Sequence, residues 1–136
     1  MIKSIGHVAM GVKNMEESIH FYCDILGLKR GFSLNNSQTG KPWLEYLKVA
    51  DGQFFELFYG EPDKEINIDK DDFFHHVSLS VDNIYEIVEK LRQVGVTIII
   101  EPRKGRDLNV QAWILDPDGH KIELMEIDPQ SPQATL

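Results

Sequence analysis

The sequence predicts an α+β protein built from two βαβββ modules, and three observations predict it. Residues 5–14, IGHVAMGVKN, recur as FHHVSLSVDN at 74–83: at an offset of 69, His7 falls on His76, Val8 on Val77, Met10 on Leu79, Val12 on Val81 and Asn14 on Asn83. Each copy is followed by a helical pattern closed by a glycine, Gly27 and Gly95. Further on, the turn dipeptide Asp51-Gly52 matches Asp118-Gly119, and Glu56 matches Glu123, both at an offset of 67. A chain that repeats its strand, helix and last hairpin in the same order is a duplicated half-domain. The two residues lost between helix and hairpin fall in loops, where a change of length costs little entropy.

The elements follow in order. Residues 5–12 alternate as a strand, with His7 on the face shared by Ala9 and Gly11. Met15, Ile19, Tyr22 and Leu26 recur at helical spacing, which predicts an amphipathic helix over 14–26 with Asn14 and Glu17 as its capping box. Residues 28–34 read as a second strand, and 35–42 as a polar loop with the composition of a mobile lid. Strands over 43–49 and 53–59 flank the turn Ala50-Asp51-Gly52. The charged run EPDKEINIDKDD at 61–72 has no sustained period and reads as the linker.

The second copy repeats this order. A strand over 74–81 leads to a helix over about 83–94, with Asn83 and Glu86 as its capping box and Ile84, Ile87, Val88 and Leu91 on one face. Strands follow at about 97–101, 110–115 and 121–127, with Asp116-Pro117-Asp118-Gly119 turning into the last. The polar tail DPQSPQATL, 128–136, is expected to be disordered or docked on a neighbour. The chain is therefore one domain, with a first module over about 4–60, a linker at 61–72, a second module over about 73–127 and the tail. Each module exposes a sheet edge and an apolar face. Pairing edge to edge about an approximate twofold axis hides both, which predicts one curved mixed sheet of eight strands with helices outside and a hollow within.

Composition narrows the function. With 14 Lys plus Arg against 22 Asp plus Glu, the net charge is -8, which repels phosphate backbones and anionic membranes and argues against either as a partner. The longest apolar run, 96–100, is far short of a membrane span, and no signal peptide opens the chain, so a cytoplasmic protein is expected. The single cysteine, Cys23, lies in a helical pattern and reads as a small core residue.

If the modules pair about a twofold axis, His7 with His76 and Glu56 with Glu123 converge in the hollow. Two imidazoles and two carboxylates suit one divalent ion, Ni, Co, Zn, Mn or Fe, better than a thiolate site would, and in an octahedron they leave two positions open. Taken singly, each residue has a plainer reading, a hydrogen-bonded histidine or a solvated glutamate. Their matched recurrence in a repeat is what core packing has no reason to produce. His75, next to His76, is expected on the opposite face; His20 and His120 have no counterpart and no assigned role.

These residues resemble the vicinal oxygen chelate superfamily, which holds glyoxalase I, methylmalonyl-CoA epimerase, extradiol dioxygenases and the fosfomycin and bleomycin resistance proteins. The resemblance spans about residues 4–127 through GHVAMGV with SIHFYCDILGL, FFELFY, HHVSLSVDN and DPDGHKIELME. It implies the glyoxalase fold and, from the His, Glu, His, Glu set, a site most like that of bacterial glyoxalase I, with His7, Glu56, His76 and Glu123 as metal ligands. It further implies a substrate with two adjacent oxygens, a metal-stabilised enediolate, Glu123 as the base with Glu56 able to serve on the opposite face, and a homodimer. For glyoxalase I the reaction turns the hemithioacetal of methylglyoxal and glutathione into a lactoyl thioester. Glutathione-using members commonly carry an arginine and an asparagine where this chain has Gly11 and Gly60, whereas the loop Pro102-Arg103-Lys104-Gly105-Arg106 keeps a basic character, with Lys104 and Arg106 as candidate substrate contacts. The thiol is therefore open. Other members of the superfamily remain alternatives: an acyl-CoA epimerase, or a non-catalytic binding protein of the bleomycin-resistance type.

Overall fold

The computed structural model describes residues 3–60 and 75–136; the expected linker at 61–72 lies outside the described residues. The chain divides into two units, Met1–Ile66 and Asn67–Leu136. The first unit runs β1 (His7–Val12), α1 (Met15–Ile19), β2 (Lys29–Asn35), β3 (Pro42–Ala50) and β4 (Gln53–Tyr59). Its sheet order is β1-β4-β3-β2, with β1 parallel to β4 and the other pairs antiparallel. The second unit runs β5 (Val77–Ser80), α2 (Ile84–Gln93), β6 (Ile98–Lys104), β7 (Val110–Leu115), β8 (Lys121–Glu126) and a short α3 (Pro132–Thr135). Its order, β5-β8-β7-β6, with β5 parallel to β8, repeats that of the first. The α+β class and the duplicated βαβββ order are thus present as two four-stranded mixed sheets.

In both units the helix leaves a central apolar face covered. Tyr22 is fully buried, its ring 5.5 Å from Phe55 and its hydroxyl 3.8 Å from Met10 Sδ, beside buried Leu47 and Leu57. In the second unit, where α2 packs against β6, β7 and β8, Ile84, Val88 and Leu91 are buried on α2, as are Ala112 and Ile114 on β7 and Ile122 and Leu124 on β8. The central strands β4 and β8 carry the site glutamates, so their backbone is held on both sides by ladder hydrogen bonds. Gly52 and Gly119 have φ of 73° and 88°, the left-handed turn conformation for which the Asp-Gly signal stood.

Four local readings differ. The first helix is not α-helical to its end: α1 passes into a π-helical stretch, His20–Ile25, closed by Leu26 N–H donating to Phe21 O at 2.9 Å. Asn14 does cap its helix: its Oδ1 accepts from Glu16 and Glu17 N–H, while its side-chain Nδ2, in place of the backbone N–H of a capping box, donates to Glu17 Oε1 at 2.9 Å. Asn83 does not: its φ of 54° is left-handed, and Glu126 Oε2 caps α2 instead, accepting from Ile84 N–H at 2.7 Å. The supposed lid is a closed hairpin loop, in which Asn36 Oδ1 accepts from Gln38 and Thr39 N–H while Gly40 N–H donates to Asn36 O. The tail returns to its own unit: buried Asn109 donates to Gln133 Oε1 at 3.1 Å and accepts from Asp128 N–H at 2.9 Å.

Candidate functional site

In a parallel pair, a residue's same-face neighbours on the adjoining strand lie at its register partner and two residues away. His7 is level with Phe54 and Ala9 with Glu56, so His7 and Glu56 share a face, and His7 Nε2 lies 3.4 Å from Glu56 Oε2. The second unit builds the same pair. Ser78 is level with Glu123, His76 lies two residues earlier, just ahead of β5, and His76 Nε2 lies 3.4 Å from Glu123 Oε2. Both carboxylates are nearly buried, with residue exposures of 8% and 5%, while His7 is exposed and His76 half-buried.

A separation of 3.4 Å is long for a strong hydrogen bond. It suits another arrangement. Metal–donor bonds of about 2.0–2.2 Å at angles between 90° and tetrahedral set two ligand atoms about 3.0–3.5 Å apart. Each His–Glu pair therefore offers one nitrogen and one oxygen at the spacing of two donors on one ion, and the mixed set fits a borderline divalent metal.

An aromatic residue flanks each pair, and sequence reasoning missed both. Tyr46 is level with Glu56 on β3, and Trp113 with Glu123 on β7. Hydrogen bonding to Glu56 first, then burial and the carboxylate's charge, raises the Tyr46 phenol pKa. Tyr46 also meets the His7 ring edge-on at 6.0 Å and stacks on Phe32 at 4.4 Å. Trp113 packs against His76 at 4.5 Å but has no hydroxyl to give Glu123. The available signal was the repeat, since Tyr46 and Trp113 precede their glutamates by the same distance.

The other expected residues fall elsewhere. His75 does not point away from His76. It lies in the segment before β5, where strand alternation does not apply, and its Nδ1 is 2.8 Å from His76 Nδ1. Lys104 ends β6, where its Nζ is 3.5 Å from Asp128 Oδ2. Its register partners, Val110 and then Glu126, are three residues along β8 from Glu123, about 10 Å at strand rise. Arg106 is exposed in the following turn. Cys23 is half-buried, and burial, followed by the charge of Asp24, raises its thiol pKa, which disfavours the nucleophilic thiolate.

Asp116, Asp118 and His120 also gather, with one donor atom from each within 4.8 Å of the others. Asp116 is already committed to the turn, accepting from Asp118 and His120 N–H through Oδ1 and meeting His120 Nδ1 at 2.7 Å through Oδ2. Burial alone would lower the His120 pKa. The hydrogen bond and charge of Asp116, with the charge of Asp118, outweigh it and raise the pKa.

Residues 4–124 match the family described as the Glyoxalase/Bleomycin resistance protein/Dioxygenase superfamily. The chain belongs to this superfamily. Among its relatives in the superfamily, a lactoylglutathione lyase of Escherichia coli O157:H7 is 35% identical over 127 residues, covering 88% of this chain and 90% of the relative. The glutathione transferase FosA of Serratia marcescens is 29% identical over 125 residues, covering 91% and 81%. A solved glyoxalase I of Leishmania major, described as trypanothione-dependent, is similar with a TM-score of 0.76 at 25% identity, covering 92% of this chain and 87% of that one. Among the described residues no helix is long and apolar enough to cross a membrane.

Proposed function

We propose that this member of the glyoxalase superfamily is a divalent-metal-dependent, glyoxalase-I-like lyase or isomerase, in which His7, Glu56, His76 and Glu123 hold one ion. The observation that carries the reading is the pair of His–Glu contacts, identical in atoms and in their 3.4 Å spacing. The bound ion would supply Lewis acidity, drawing electrons from two adjacent substrate oxygens so that the neighbouring carbon-bound proton becomes acidic.

The remaining work falls to the chain. The Glu56 carboxylate is engaged by the Tyr46 phenol that stands level with it. Glu123 has Trp113 in that place, so it is the carboxylate left to take the proton and return it to the next carbon. A thiol-derived hemithioacetal is the favoured substrate class, because relatives named for lactoylglutathione, glutathione and trypanothione all act with thiols. Glutathione contacts differ from the family habit for a visible reason at one position. A Cβ at Gly60 would lie 2.9 Å from Val12 O, so asparagine does not fit there without a backbone shift. A cytoplasmic homodimer is part of this reading, and light scattering tests the assembly.

The test is purification without chelator, metal analysis by mass spectrometry, and assay of thioester formation from methylglyoxal with glutathione and other thiols. About one metal per chain and turnover with at least one thiol are expected. No bound or bindable metal overturns the whole reading. Metal without turnover for any thiol discards only the glyoxalase reaction. A second reading, thiol transfer, rests on the FosA relative and is supported if glutathione is consumed with an electrophile but not with methylglyoxal.

A further inference from the structure

The repeat breaks at one position beside a proposed ligand. At the offset that lays His7 on His76, Gly6 falls where His75 stands. The extra imidazole is engaged: its Nδ1 is 2.8 Å from His76 Nδ1, and the rings lie 5.0 Å apart with an interplanar angle of 79°. It is also packed edge-on against Trp113 at 5.7 Å.

Two ring nitrogens at this distance form a bond only if one carries the proton and the other offers a lone pair. His76 Nε2 faces Glu123 Oε2, and as a metal ligand it must present its lone pair there. Its proton then resides on Nδ1. His75 must accept that proton at Nδ1 and keep its own on Nε2. We propose that His75 is a positioning residue that fixes the Nδ1–H tautomer and ring orientation of His76, so that Nε2 is prepared for a divalent ion. His7 has only glycine before it, and among the described residues no side chain hydrogen-bonds its Nδ1. His76 is therefore the better prepared imidazole. The inference rests on the reading of His76 as a ligand.

Two readouts test it. On zinc-loaded protein, proton–nitrogen NMR should show His76 protonated at Nδ1 and a through-hydrogen-bond coupling from that nitrogen to His75 Nδ1. His75→Phe keeps a ring against Trp113 but removes the acceptor and with it the coupling. His75→Asn supplies a side-chain carbonyl and should restore an acceptor. In zinc titrations against a chromophoric chelator, His75→Phe should weaken binding about tenfold or more, and His75→Asn should recover most of that loss. His75 is exposed, so neither variant is expected to disturb folding. Absence of that coupling in the unmodified protein, or an unchanged zinc affinity in His75→Phe, overturns the proposal. If the unmodified protein binds no zinc, the metal reading falls instead.

Discussion

Glu56 and Glu123 occupy equivalent strand positions at equivalent distances from a histidine, yet Tyr46 stands beside one and Trp113 beside the other. Glu123→Gln is expected to lower kcat by about 10²–10⁴-fold, the range for loss of a general base, while Glu56→Gln should lose less in kcat and more in metal affinity. Stopped-flow turnover beside a metal titration separates the two. The four metal-ligand candidates were legible because the sequence states them twice. Tyr46 and Trp113 were not, because an aromatic in an apolar strand gives the same pattern whether it packs or serves a site. His75 was misplaced for a definite reason: alternation was carried two residues beyond the start of β5 at Val77.

The helices show how equal sequence signals yield unequal caps. Asn14 and Asn83 match in the repeat, but only Asn14 caps with its side chain; α2 borrows Glu126 from the neighbouring strand. Glu126→Ala should therefore cost about 1 kcal/mol, as for loss of an N-cap. Glu86→Ala removes only an exposed bond to Lys90 and should stay within about 0.5 kcal/mol. Urea midpoints at constant slope would check both. Strand positions were legible to within a residue or two, except that β5 starts at Val77, not at 74, and β6 runs on to Lys104, since period-two patterning and Asp-Gly turns are local signals. The Glu126 cap was not, because it joins residues 42 apart in the chain. The loop at 36–41 looked like a lid because polarity does not distinguish an open loop from one tied by its own asparagine.

At the scale of the molecule, one titration reports on folding. His120 has its pKa raised in the native state, against the opposing effect of burial. Its bond to Asp116 therefore contributes stability that is fully present below the ordinary imidazole pKa and is lost as pH rises through the raised native value. Denaturant midpoints should fall over that window, and Asp116→Asn should remove the pH-dependent part. The class and duplicated topology were readable before any coordinates because repetition, periodicity and turn residues agreed. The docking of the tail on Asn109 was not, because DPQSPQATL has no apolar period to announce it.

The exchange of a tyrosine in one half for a tryptophan in the other has a consequence for handedness. Addition of a thiol to a flat aldehyde gives both configurations at the new carbon centre, and in the proposed mechanism a lone base reaches the labile hydrogen of only one. With a freshly made, slowly exchanging mixture and excess enzyme, product should rise quickly to about half of the total, then continue at the rate at which the unused form reverts to aldehyde and thiol. Complete conversion in a single fast phase would mean that both carboxylates abstract protons.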